Sequence, residues 1–152
     1  MAVAFDTDDN MYVRDIINEQ REFNDLINLM KAPFITDQAF TTIQGIEQKA
    51  NGLSIFQKLK EDPELRSSGS KPHPVDVVGD KWQRANKWSW YAQYGKLFVV
   101  NGPNVLPFID QASSFTGNEG DLHDDMIDSA SGATTWRKNA LDSTRRFVSK
   151  SW

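Results

Sequence analysis

Asp121-Leu122-His123-Asp124-Asp125-Met126-Ile127-Asp128-Ser129-Ala130-Ser131-Gly132-Ala133 is the stretch on which the reading of this chain turns. Wound as a helix, it repeats Asp121, Asp124 or Asp125, and Asp128 at spacings of three or four residues, so carboxylates leave one face near the positive N-terminal end. The small residues behind them, Ser129 to Ala133, let such a helix press closely on a sheet, which would carry the acids to a strand end. An array of this kind could hold Mg²⁺ or Mn²⁺. The same acids also suit plain N-capping and solvation, and spacing alone leaves both readings open.

Upstream, Asp80 is placed to cap a helix through Trp82, Arg84, Ala85, Trp88 and Ala92, with Gly95 just past its end. Lys81, Arg84 and Lys87 recur on one side of that helix, beside Trp82, Trp88 and Trp90. This face suits contact with phosphates, and it suits equally an ordinary amphipathic helix whose cations lay their stems along apolar surface. Lys96 to Val100 reads as a strand. Asn101-Gly102-Pro103 turns the chain into a helix near 104–115, and a glycine-containing loop leads to the final helix over roughly 124–140. Beyond it, Arg145, Arg146 and Lys150 make residues 141–152 a basic tail.

At the other end, Ala2 to Phe5, Asp6 to Asn10 and Met11 to Ile17 read as strand, turn and strand, because Asp and Asn tolerate turn dihedrals. Phe23, Leu26, Ile27 and Met30 share one helical face, and Pro33 lies just beyond the natural stop. Thr41 to Glu47 is a β-type run, followed by a polar turn ending at Gly52 and a helix carrying Ile55, Phe56 and Leu59. Residues 61–74 collect three Pro, one Gly and three Ser without periodicity, which predicts a loop, with a short strand from Val75 to Val78 after it. Glu47, at a strand end before a polar turn, is either a site acid or an exposed strand-end glutamate, since acids at strand ends and helix starts converge in α/β folds. His73 in the proline-rich loop reads as solvated. His123 could orient a neighbouring acid or serve as a cap.

The 152-residue chain is long enough to close one core, and no second domain is expected. Its net charge of −4 counts against a simple DNA-binding module but not against a nuclease, whose site itself gathers carboxylates. It contains no cysteine, which excludes disulfides, zinc-thiolate sites and cysteine nucleophiles. There is no GxxxxGK[ST] or GxGxxG sequence, so no ATPase or dinucleotide site is supported. No window approaches the ~18 apolar residues of a membrane span, and a soluble cytosolic protein is expected.

Taken together, Gly79-Asp80-Lys81-Trp82-Gln83-Arg84-Ala85, the strand Lys96 to Val100, the segment Phe108-Ile109-Asp110-Gln111, and His123-Asp124-Asp125-Met126-Ile127-Asp128-Ser129-Ala130 resemble the closing half of phage terminase large subunits. The pattern there is DKxxRA, a strand, a helix with an FxxE/Q-like segment, then HDDxxDA. Ile46-Glu47-Gln48-Lys49-Ala50-Asn51-Gly52 is similar to the family's strand-end acid and following ANG turn. The likeness covers nearly all of residues 2–140.

The resemblance implies an α/β, ribonuclease H-like mixed sheet flanked by helices, with residues 1–140 as the nuclease domain and its first strand lacking. In such a fold three acids hold a pair of divalent cations, Mg²⁺ or Mn²⁺, that activate water for phosphodiester cleavage. Glu47 matches the second acid, and Asp124, Asp125 and Asp128 supply the third. Asp6 has turn spacing and is a poor substitute for the first. The implied activity is endonucleolytic cutting of concatemeric DNA during packaging, in the cytoplasm of an infected host cell. Double-stranded DNA, the terminase motor domain, the small terminase subunit and the portal are the implied partners. A non-catalytic docking module of the packaging motor, or another ribonuclease H-like nuclease such as a junction resolvase, are the rival readings.

Overall fold

The computed structural model describes residues 1–36, 44–47, 51–69, 71–75, 79–118, 121 and 124–148. The elements run β1 (Ala2–Phe5), β2 (Met11–Asp15), α1 (Phe23–Thr36), β3 (Gln44–Glu47), α2 (Gly52–Glu61), α3 (Pro63–Ser68), β4 (Pro72–Val75), α4 (Lys81–Gln93), β5 (Leu97–Val99), α5 (Val105–Ser114) and α6 (Asp125–Val148). This is the mixed α/β class that the alternation of strands and helices predicts. Expected as a single domain, the chain divides into two compact units, Met1–Asn18 with Val78–Trp152, and Glu19–Val77.

The first unit is built on the sheet β1-β2-β5, in which β2 pairs antiparallel with β1 and parallel with β5. Its register sets Val3 opposite Val13, Phe5 opposite Met11, and Val13 beside Val99. Because side chains alternate along a strand, these residues share one face. That face packs on Ala85, Trp88 and Tyr91 of α4, Phe108 of α5, and Met126, Ile127 and Ala130 of α6. Tyr12 and Phe98, one residue out of phase, stack on the opposite face with ring centroids 5.1 Å apart.

The hairpin between β1 and β2 forms where the sequence predicts it, and Asp6 is the reason for its shape. Its carboxylate accepts hydrogen bonds from the backbone N–H groups of Asp8 and Asn10, the Asn10 side-chain amide and the Tyr12 hydroxyl. Those bonds, with the Asn10 backbone N–H contributing most, hold the Asp6 carboxyl below the usual carboxylate range.

The second unit joins β3 and β4 as a parallel pair and closes Phe34, Ile46, Ile55, Leu59 and Leu65 around them. Three expectations are corrected here. Helix α1 runs through Pro33 to Thr36 instead of stopping before it. Proline deletes one intrahelical hydrogen bond, but the continued turn buries Phe34, and the gain from burying a phenyl ring is of similar size. Residues 61–74 are not a loop. Asp62 accepts from the N–H groups of Glu64 and Leu65, Pro63 fits the first helical position, and Leu65 is buried, so α3 forms. A helix of six residues is too short for hydrophobic periodicity to reveal it. A strand also lies at Pro72–Val75, within the stretch read as a loop, which puts His73 on β4 rather than in a solvated loop. Residues 76–78 and 41–43 lie outside the described residues.

At the far end of the chain, the backbone of α6 continues to Val148. The boundary expected at 140 therefore falls inside a helix, and most of the basic tail prolongs α6.

Candidate functional site

Helices α4 and α6 pack together in the first unit, and their polar contacts ascend in step. Lys81 Nζ lies 2.6 Å from Asp124 Oδ2, an Arg84 guanidinium nitrogen donates to Asp128 Oδ1 at 2.7 Å, and Lys87 Nζ donates to Thr135 Oγ1 at 3.1 Å. Rising numbers on both sides mean that the two helices run in the same direction here. Their N-terminal ends, each carrying partial positive charge, therefore lie at the same end of the pair, where the aspartates sit. Asp80 caps α4 as its sequence predicts, accepting from the Gln83 N–H at 2.7 Å. The N-terminus of α6 is served from α5, where Gln111 Oε1 accepts from the Met126 N–H at 3.3 Å.

The acids of the opening stretch separate into distinct tasks. Asp121 closes the loop before α6, taking hydrogen bonds from the Thr116 N–H and hydroxyl and from the Gly117 N–H. The Thr116 hydroxyl, ahead of the two backbone N–H groups, holds its carboxyl below the ordinary range. Gly117 has φ +79°, and a β-carbon there would stand 3.0 Å from Trp82 Cβ, so this loop rests directly on the first turn of α4. Asp124 is the residue immediately before α6, and its carbonyl accepts the Asp128 N–H at 2.8 Å. Asp124 Oδ2 is closed to solvent. The Lys81 ammonium is close to it in distance but off the axis of an ideal hydrogen bond, so charge carries the contact. Asp128 is held by Arg84, the one charged side chain that is buried among the described residues. Asp125 is exposed.

The cations named from sequence thus have a definite place. Lys81, Arg84 and Lys87 turn toward α6, where Lys81 and Arg84 meet acids and Lys87 meets the Thr135 hydroxyl. The Lys81 ammonium is raised above the usual lysine range, first by its contact with Asp124 and further by the nearby charges of Asp128 and Asp121. Trp82 and Trp90 are exposed, whereas Trp88 is buried with its indole nitrogen lacking a hydrogen-bond partner among the described residues.

Glu47 belongs to the second unit, at the end of β3, and is half-buried. What positions it is the start of α2. A β-carbon on Gly52 would fall 1.8 Å from the Glu47 carbonyl oxygen, so the helix can begin there only without a side chain. His123 lies outside the described residues.

Carboxylate oxygens are the donors that hard divalent cations select, and Asp124 already holds a cationic group, so the donor chemistry fits Mg²⁺ or Mn²⁺. Among the described residues no three His, Asp or Glu side chains converge on one point.

A ribonuclease H-like arrangement combines a mixed sheet, helices packed on it and acids at a helix start, and these are present here. The family model described as the terminase RNaseH-like domain matches residues 3–135, and the chain belongs to that family. No curated protein and no solved structure matches it. The matched span ends at Thr135, the α6 residue that Lys87 of α4 meets. Membership sets the chain in phage DNA packaging and in the context of a packaging motor.

Proposed function

We infer that the chain is the nuclease part of a terminase large subunit, a divalent-metal-dependent endonuclease that cuts concatemeric double-stranded DNA during packaging. The observation that carries this is the pair of ionic contacts fixing Asp124 and Asp128 at the shared N-terminal end of α4 and α6, in a chain of the terminase RNaseH-like family. Asp124, immediately before α6, and Asp125 and Asp128 on it are the carboxylates that would hold Mg²⁺ or Mn²⁺, and Glu47 at the end of β3 matches the family's second acid. When bound, such ions lower the pKa of water and stabilise the leaving oxygen of a phosphodiester. The protein's own part is orientation. Lys81 and Arg84 fix two acids, Gln111 secures the helix that carries them, and Gly52 lets β3 end against α2 with Glu47 at the junction. The motor domain, the small terminase subunit and the portal are the proposed partners, and the infected host's cytoplasm is the proposed setting.

The test is cleavage of supercoiled plasmid by the purified protein with Mn²⁺. Glu47→Gln and Asp125→Asn should each abolish it, and cleavage that survives both substitutions would sink the assignment.

One observation favours a second reading. Asp124 and Asp128 are neutralised within the protein, as in a domain that keeps the fold for docking on the motor rather than for chemistry. Calorimetric titration with Mn²⁺ separates the two, because the nuclease binds metal and the docking module binds none.

A further inference from the structure

Two cations meet the acids of α6, and their settings differ. Arg84 is locked, with a side chain only 10% exposed and one guanidinium nitrogen donating to Asp128 Oδ1. The Lys81 side chain is 34% exposed, sits on the first turn of α4, and touches Asp124 through charge without an aligned hydrogen bond. Lysine is a point charge on a flexible four-carbon stem, so it can leave such a contact at little cost in geometry, whereas a buried guanidinium cannot. With the Lys81 ammonium 2.6 Å away, Asp124 Oδ2 is shut off from water, so that cation is what offsets its charge there.

We propose that Lys81 is an exchangeable counter-ion, a resident cation that neutralises Asp124 until a divalent metal takes its place. This rests on the nuclease reading and adds a control to the same site. Metal loading at the start of α6 is a competition between Lys81 and the incoming ion, and Arg84 keeps the helix in register while the exchange occurs. An ammonium released in this way points out from the first turn of α4 and is free to meet a phosphate, the role its sequence position suggested.

The experiment is calorimetric titration of Mn²⁺ into the wild-type chain and into Lys81→Met, Lys81→Gln and Lys81→Arg. Removing a positive charge a few ångströms from the acceptor should tighten Mn²⁺ binding about tenfold in the Met and Gln variants. The Arg variant keeps the competing charge and should bind Mn²⁺ no more tightly than wild type. Circular dichroism checks that each is folded, and the Gln variant serves if the Met variant is not. Binding that is equal in wild type and the neutral variants, or weaker in the latter, overturns the exchange and leaves the nuclease reading standing. Failure of all forms to bind Mn²⁺ overturns both.

Discussion

Arg84 reaches from α4 to Asp128 on the first turn of α6 with 2.7 Å between guanidinium nitrogen and carboxylate oxygen, and its side chain is nearly closed to water. A pair in this setting is costly to break from one side, because the remaining charge stays desolvated. Arg84→Leu should destabilise the protein by about 3 kcal/mol, the lower end for a buried pair since Asp128 keeps some contact with solvent. Urea denaturation measures it. A loss below about 1 kcal/mol would make the pair equivalent to a surface ion pair. Arg84→Leu combined with Asp128→Leu should recover part of the loss, as no orphaned charge then remains.

The acid side of the stability curve should follow Asp6 and Asp121. Both carboxyls are held below the ordinary range by hydrogen bonds, so the folded state binds their protons less readily than the unfolded chain. Their contribution is fully present above an unfolded value of about 3.9 and is lost as pH falls through the lower folded values. Melting temperatures measured between neutral and strongly acid pH should therefore fall in that window. Asp121→Asn should flatten the fall, and the Gly117 amide resonance should report the local opening. An unchanged pH profile in that variant would remove Asp121 from the account.

Lys81 sets the opposite slope at alkaline pH. Its ammonium is raised above the usual lysine value, so its contribution is complete below an unfolded pKa of about 10.4 and is lost as pH rises through the folded one. Comparison of alkaline melting curves for wild type and Lys81→Met checks this, and the variant should lack that part of the decline.

What the sequence made legible, and what it did not, follows from the range of the interactions. The hairpin, α4 with its Asp80 cap, α5 and the start of α6 rest on signals within a few residues of one another, and they form where expected. The partnership of Lys81 with Asp124 and Arg84 with Asp128 spans more than forty positions. The sequence offered the motifs side by side without saying that one clasps the other. Gln111 is similar, since the segment from Phe108 was recognisable as a unit but its amide's role at the N–H of Met126 needs α5 and α6 packed together. Helix α3 escapes a reading from sequence for a different reason. The cap, the proline and the acid at Asp62-Pro63-Glu64 are a helix-start signal, but the surrounding Pro, Gly and Ser content outweighed it.

Gly117→Ala tests the loop that brings α6 to α4. A left-handed φ of +79° disfavours any β-carbon, and the one added would press on Trp82 at its Cβ and backbone, which cannot swing aside as a side-chain tip can. The expected loss is about 2 kcal/mol, from backbone strain together with the contact. Thermal melting and the chemical shift of the Trp82 indole report it. A variant as stable as wild type would mean that the loop can leave α4 freely.

Gly52→Ala separates positioning from chemistry at the second unit's acid. Glycine carries no functional group, yet a methyl at position 52 would stand 1.8 Å from the Glu47 carbonyl oxygen, well inside van der Waals contact with rigid backbone. Either α2 starts later or the end of β3 moves, and both displace Glu47. If Glu47 serves cleavage, plasmid nicking with Mn²⁺ should fall in Gly52→Ala as far as in Glu47→Gln, while Leu53→Ala, at a neighbouring position that is 46% exposed, leaves it near wild type. Hydrogen exchange at Ile46 and Ile55 distinguishes a shifted strand end from loss of the whole unit. Full activity in the glycine variant would show that the tight approach of α2 to β3 has no part in placing the acid.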